Sequence, residues 1–379
     1  LNRSTANAQC RLPEKAGEDQ GGWFMISMRL PLCVGTVVVA AQLAGPAQAQ
    51  QKLTYIVVNN LFSTPAYVAA ENGYWAQQGL DVAVKLTGSG RAVTQAVQAG
   101  DAQFGHAALS TTIASARASG NMLKGVIAYY NAADYIAKAG GRAIIGRKDR
   151  GIDANNPKSM EGKKIAYLTG STNDVYLREW FKKHKLDISK SQLVSVPVEN
   201  MPITIQQGLV DAVVPWEPYQ SQAIRELGAN AVVVSRGEAS LVTDIIGAVA
   251  HEDWIKKNYD FVEKFSLGLI EATAFVRKNP KESAEIATRF LDGLNVADGT
   301  EGLKWLSWDP RVSICTIDGL VRTGNDMIKS GLLKKDKPFE PGDFYDDTVF
   351  KRIVEKHPQF FADLPPLPKT LAECQGQLG

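Results

Sequence analysis

The chain has 379 residues, 45% of them hydrophobic and 22% charged, which excludes a disordered polymer and leaves room for two domains. The 42 basic residues stand against 40 acidic ones, so the net charge of +2 gives nucleic-acid binding no electrostatic footing. Four cysteines and four histidines are scattered without metal-ligand spacing, so no metal and no cofactor is expected.

The first informative segment is Met28-Arg29-Leu30-Pro31, then a mostly apolar run over residues 32–43, closed by Ala47-Gln48-Ala49 before Gln50. A positive charge, about a dozen apolar residues and a small-x-small site read as a cleaved secretory signal, with cleavage expected between Ala49 and Gln50. Gln42 and Gly45-Pro46 interrupt the run too early for a membrane span, which needs about 20 apolar residues. Residues 1–49 are therefore set aside as upstream extension and signal, and a periplasmic location is expected. Removing them leaves Cys315 and Cys374, which an oxidising compartment allows either to pair or to stay as buried thiols.

From Leu53 onward β-type runs alternate with helical ones. Residues 53–58 predict a strand, Ser63-Thr64-Pro65 a helix start, and Gly79 the end of one continuous helix. Residues 81–86 predict a second strand, Gly88-Ser89-Gly90 leads into a helix ending at Gly100, and residues 102–104 predict a third strand. The same order returns about 110 residues later: a strand over 164–168, a helix opened by Gly170-Ser171-Thr172, a strand over 193–196, a helix after Asn200-Met201-Pro202, and a strand over 210–214. Strands separated by helices imply mostly parallel sheets with right-handed crossovers. Two such units predict an α/β protein of two lobes. Apolar runs at 143–146 and 244–250 read as strands carrying the chain from one lobe to the other and back. Lobe I is expected over 50–142 plus 243–379 and lobe II over 143–242. Two crossings make a hinge, and a hinge makes a closable cleft. Beyond His251 the pattern turns mainly helical.

In parallel α/β sheets ligands sit beyond the C-terminal strand ends, where helix N-termini point. Lobe I offers there Asn60, Phe62, Ser63, Thr64, Ser89, Gly90, Ser110 and Thr111. Lobe II offers Ser171, Thr172, Asn173, Asn200, Trp216 and Glu217. Hydroxyls, amides and free backbone N–H groups at helix starts suit an oxyanion. Phe62, Tyr130, Trp216 and Tyr219 supply aromatic walls for an apolar part of the solute. Glu217 reads two ways, as an acceptor for a ligand amine or as a bond across the lobes. Arg91, just inside a helix start, reads two ways, as an ion-pair partner for an anion or, the favoured reading, as a solvated surface residue; Tyr74-Trp75 reads as core packing.

Catalysis needs a nucleophile beside a base. His106, His184, His251 and His357 stand apart, with neither His-Glu-x-x-His nor Gly-x-Ser-x-Gly, and only His106 falls near the expected cleft. Gly88-Ser89-Gly90 carries neither the third glycine of a dinucleotide loop nor a following Gly-Lys-Ser/Thr. Binding without turnover is the expectation.

The segment Tyr67-Val68-Ala69-Ala70-Glu71-Asn72-Gly73-Tyr74-Trp75 resembles the opening helix of periplasmic solute-binding proteins of the nitrate/sulfonate/taurine ABC-importer family. Gln98-Ala99-Gly100-Asp101-Ala102, Met160-Glu161-Gly162-Lys163, Gly170-Ser171-Thr172 and Val213-Val214-Pro215-Trp216-Glu217-Pro218-Tyr219 follow in the family's order, over about residues 52–278. The resemblance implies a type II-like two-lobed fold acting as a monomer. It further implies capture of a small solute and its delivery to an importer's membrane permease and ATPase. The ligand itself does not follow from the resemblance; the polar, weakly charged cleft loops and the secretion signal lead to the expectation of a small organic anion, sulfonate- or carboxylate-type. The alternative the resemblance leaves is binding or synthesis of a pyrimidine thiamine precursor on the same fold. The cysteine-rich motif of the synthesising enzymes is absent from the sequence.

Overall fold

The computed structural model describes residues 51–132, 140–238 and 241–375, so the expected secretory signal lies outside the described residues. Among the described residues ten strands form two five-stranded mixed sheets. In chain order they are β1 (Gln51–Val58), β2 (Leu80–Thr87), β3 (Phe104–Ala108), β4 (Leu123–Ala132), β5 (Ala143–Arg147), β6 (Lys164–Tyr167), β7 (Gln192–Ser195), β8 (Ala212–Val213), β9 (Ala231–Arg236) and β10 (Asp244–His251). The helices used below are α1 (Thr64–Glu71), α2 (Tyr74–Gln77), α3 (Gly90–Ala99), α4 (Thr111–Ala118), α5 (Thr172–Lys183), α6 (Met201–Gln206), α7 (Tyr219–Leu227), α8 (Glu252–Lys257), α9 (Tyr259–Lys278), α10 (Pro280–Ala287), α11 (Val296–Leu303), α12 (Ile314–Lys329), α13 (Thr348–Lys356) and α14 (Leu371–Gln375).

The sheet orders are β2-β1-β3-β10-β4 and β7-β6-β8-β5-β9. Three parallel strands lead each sheet, and an antiparallel strand follows them: β10 against β3 in the first, β5 against β8 in the second. Both antiparallel strands directly follow a stretch spent in the other lobe, so the chain crosses twice, as the apolar runs at 143–146 and 244–250 foretold. This is the two-lobed periplasmic binding protein fold.

Alternation sets the faces of β1, where Leu53, Tyr55 and Val57 are buried. Against that face lies α9, whose Phe265 stacks on Trp75 with ring centroids 5.4 Å apart, while Trp75 Nε1 donates to the Phe265 carbonyl at 3.0 Å. Trp75 is therefore core packing. A Cβ on Gly268 would come within 2.5 Å of its indole, so α9 approaches this closely only through a glycine.

Two expectations are corrected. The helix expected to run unbroken to Gly79 is two pieces, α1 and α2, because Gly73 takes the left-handed conformation (φ 70°) between them. The third strand lies over Phe104–Ala108 rather than 102–104. Pairing with β1 begins at Tyr55↔Phe104, and that tertiary ladder overrides the weak strand propensity of Gly105-His106-Ala107-Ala108. Cys315 and Cys374, left open above, form a disulfide with Cα atoms 5.6 Å apart. Among the described residues no helix is long and apolar enough to cross a membrane.

Candidate functional site

The strand order reverses between β1 and β3 in one lobe and between β6 and β8 in the other. At such switch points, diverging connections leave a crevice at the carboxyl strand ends. Residues from both crevices line one cavity of about 540 Å³: Val58 at the end of β1 and Asn60 beyond it, Ala107 and Ala108 of β3, Leu168 to Gly170 after β6, and Trp216 after β8. The cavity is in the range of small-molecule sites.

Three helix starts converge there. Ser89 caps α3, its Oγ accepting from Ala92 N at 3.3 Å. Ser171 caps α5, its Oγ accepting from Asn173 N (3.2 Å) and donating to Leu168 O (2.8 Å). Thr111 opens α4. Each start adds roughly half a positive charge to the cavity. Thr172 is buried on the wall, and Asn173 donates from Nδ2 to Val214 O at 2.8 Å, pinning α5 to β8.

Of the candidate residues, Asn60, Phe62, Ser89, Gly90, Thr111, Ser171, Thr172, Asn173 and Trp216 line the cavity. Ser63, Thr64, Ser110, Asn200 and Glu217 are not among the lining residues. Ser63 and Thr64 turn into lobe I, where their hydroxyls donate to Val58 O (2.7 Å) and Leu61 O (2.6 Å). Ser110 is fully buried and Asn200 is exposed. Of the aromatic residues, Tyr130 stands behind Phe62, ring centroids 4.7 Å apart, and Tyr219 donates to Asn59 O at 2.9 Å, across the lobes. Arg91 is exposed, yet it lines the cavity.

Glu217 packs beneath α11 rather than facing solute, since a Cβ on Gly302 would stand 3.2 Å from its Oε2. Its carboxyl accepts from Gln220 Nε2, Ser221 N (3.2 Å) and Ser221 Oγ (2.9 Å). Burial raises its pKa to about 7, against these three donors, which lower it. The unfolded chain therefore gives up this proton near pH 4.5 and the folded one only near 7. The contribution to stability is full below about 4.5 and is lost as pH rises to about 7, at most about 3 kcal/mol. Glu217→Gln should flatten that slope. Urea midpoints at pH 5 and pH 8 check it, and an equal wild-type and variant slope would overturn it.

Two residues that reading by helix starts passed over complete the wall. Arg142, only 4% exposed, comes from the first crossover, where a β-bridge joins it to Trp216, and its guanidinium lies 5.6 Å from the Tyr176 ring centre. The only hint in the sequence was Gly140-Gly141-Arg142 directly before a crossing strand. His106, buried on β3, also lines the cavity. Its Nδ1 lies 2.6 Å from Tyr129 Oη, which in turn lies 3.0 Å from Tyr55 Oη. Every proton of this chain finds an acceptor only if Tyr55 donates to Tyr129 and Tyr129 to Nδ1, which puts the histidine proton on Nε2. Burial lowers the His106 pKa to about 3, so the ring is neutral at physiological pH. Ser63 Oγ is 3.1 Å from the same Nδ1, but its own proton goes to Val58 O and it lies off the cavity wall. The pair has the spacing of a nucleophile and base without the access.

The lining holds Arg91 and Arg142 and no aspartate or glutamate among the described residues. Trp216 Nε1 is buried without a hydrogen-bond acceptor among the described residues. A buried donor left unmet costs about 1–3 kcal/mol, which an acceptor brought by a ligand would relieve. Among the described residues no group of His, Cys, Asp and Glu is arranged to hold a metal ion.

The aliphatic sulphonate binding protein SsuA of Escherichia coli shares this fold, with a TM-score of 0.66 at 18% identity over 79% of this chain and 99% of that one. The nitrate-binding protein NrtA of Synechocystis PCC 6803 also superposes with a TM-score of 0.66, at 12% identity over 84% of this chain and 91% of that one. A candidate binding protein of Brucella abortus is 24% identical over 288 residues, 73% of this chain and 84% of its own. A 4-amino-5-hydroxymethyl-2-methylpyrimidine phosphate synthase of Saccharomyces cerevisiae is 23% identical over 245 residues, 62% of this chain and 69% of its own. The profile described as NMT1/THI5-like matches residues 60–283. The chain belongs to the NMT1/THI5-like family.

Proposed function

We propose that this protein captures a small organic anion, sulfonate- or carboxylate-type, between its lobes and delivers it to the membrane permease of an ATP-driven importer from the periplasmic side. One observation carries the reading: among the described residues the cavity wall combines two arginines, three helix starts and the unmet Trp216 N–H, with no aspartate or glutamate lining it. Positive charge and N–H donors gathered on one wall suit a negatively charged guest, and the low dielectric around the buried donors strengthens them. The neutral His106 adds an N–H but no formal charge. Binding without turnover is supported by Ser63 lying off the wall, so that its spacing to His106 serves packing and not attack.

Thermal denaturation against sulfonates and carboxylates tests the proposal. A solute at 100 times its dissociation constant should add about 2.7 kcal/mol of stability, and no shift with any of them would remove the anion assignment. Thr172→Val keeps the Ser171 cap and the volume of the side chain while deleting one wall hydroxyl. It should weaken binding about tenfold, the value of one net hydrogen bond, with an unchanged melting temperature of the free protein. Equal affinity in isothermal titration would take Thr172 out of the site.

A further inference from the structure

The same cavity continues past the strand ends and runs between α3 and α4. From α3 its wall takes Arg91, Thr94, Gln95 and Gln98. From α4 it takes Thr112, Ser115 and Ala116, and from the cap that ends the helix Ser119. Each set has the three-and-four spacing of a single helix face. Neighbouring helices in a lobe ordinarily turn apolar ridges toward each other. Here the buried residues of α3, Val93 and Val97, are spent on the sheet, where both would crowd a Cβ at Gly105, and the facing stripes are left almost wholly to hydroxyls and amides.

The groove has defined ends. Near the cleft the helices approach closely, and a Cβ on Gly90 would stand 3.1 Å from Thr112 Oγ1. At the far end Asn121 Nδ2 donates to Gln98 Oε1 at 2.7 Å. Between them Thr94 Oγ1 gives its proton back to Gly90 O (3.0 Å), while the side chains of Gln95, Thr112 and Ser115 make no hydrogen bond to protein among the described residues. Arg91 to Gln98 spans seven helical steps, about 10 Å.

We infer that this groove holds the tail of the transported solute, which is an elongated anion carrying several hydroxyl or amide groups along about 10 Å, of the class of sugar acids and not alkyl acids. The inference rests on the anion-binding reading for its head and adds the tail. An alkyl chain laid here would strip water from the wall amides and hydroxyls and return no hydrogen bond in exchange. A hydroxylated chain exchanges those water bonds for protein bonds, directly or through bridging water. The second helix stripe also explains a cavity of 540 Å³, larger than a bare oxyanion needs.

Competition calorimetry on the whole protein with hexanoate, decanoate, gluconate and lactobionate tests this. All four carry one carboxylate; two have alkyl tails, and two have hydroxylated tails of increasing length. Gluconate is expected to bind at least about tenfold tighter than hexanoate, the equivalent of one net hydrogen bond, with lactobionate tighter still and decanoate no tighter than hexanoate. In a Gln95→Leu, Thr112→Val, Ser115→Ala variant the gluconate-to-hexanoate ratio should fall to about twofold or less, as expected once those groups are gone. Should that variant not fold, the wild-type ratio alone decides. Hexanoate or decanoate binding as tightly as the hydroxylated acids would overturn the tail assignment and leave the anion reading standing. Silence from all four, and from sulfonates as well, would overturn both.

Discussion

Replacing Arg142 by methionine is expected to cut affinity for an anionic solute roughly a thousandfold, about 4 kcal/mol. The loss follows from place and chemistry. Among the described residues Arg142 is the one lining cation that is also buried, and a guanidinium in a dry wall meets a carboxylate or sulfonate with two parallel hydrogen bonds. Arg142→Lys keeps the charge but loses the fork, and should fall between wild type and the methionine variant. Titration calorimetry on the three proteins checks this order. Wild-type affinity in the methionine variant would show that the solute never meets this wall.

Removing the bridge with Cys315→Ser and Cys374→Ser is expected to lower the free energy of unfolding by up to about 4 kcal/mol. The disulfide closes a loop of 59 residues that contains most of α12 and all of α13. Opening a loop of that length returns about this much conformational freedom to the unfolded chain. The folded state feels the loss locally as well. Cys315, Cys374 and Leu367 form a small apolar cluster apart from the main core, and Leu371 on α14 is 45% exposed, so little else fastens the last helix. The urea midpoint should fall in the double variant, and trypsin should cut first at Lys369, beside α14. An unchanged midpoint with faster cleavage would mean that the bridge secures only the tail.

Much of the architecture could be read from residues alone because it is written in short-range signals. The β-branched runs, the Gly88-Ser89-Gly90 and Gly170-Ser171-Thr172 helix starts, and their return about 110 residues later point to two similar units. The apolar runs at β5 and β10 point to two crossings. Asn60, Phe62, Ser89, Thr172 and Trp216 reach the cavity for the reason given in advance, that strand ends and helix starts face it. Ser63 and Thr64 stand on the same stretch and turn away, because position along a helix start does not fix the rotation of each side chain about it. Glu217 shows the same limit one step further: the adjacent Trp216 lines the cavity while the carboxylate is taken up by Gln220 and Ser221. Arg142 was invisible because it belongs to no helix start, and only the meeting of two lobes gives it a role. Gln95, Thr112 and Ser115 read as ordinary polar faces of α3 and α4 until the two faces are seen to oppose each other.

The placing of β10 between β3 and β4 has a bearing on how the molecule is made. All five strands of the second sheet lie within Ala143–Arg236, so a nascent chain that has just passed that point already owns one finished lobe. The other lobe, though begun first, keeps β3 and β4 apart until His251 emerges. Until then β3 has an open edge and β4 lacks its ladder, the features that expose a half-made chain to aggregation and to holding chaperones. The order of assembly is thus the reverse of the order of translation: the portion synthesised earliest is the last to close.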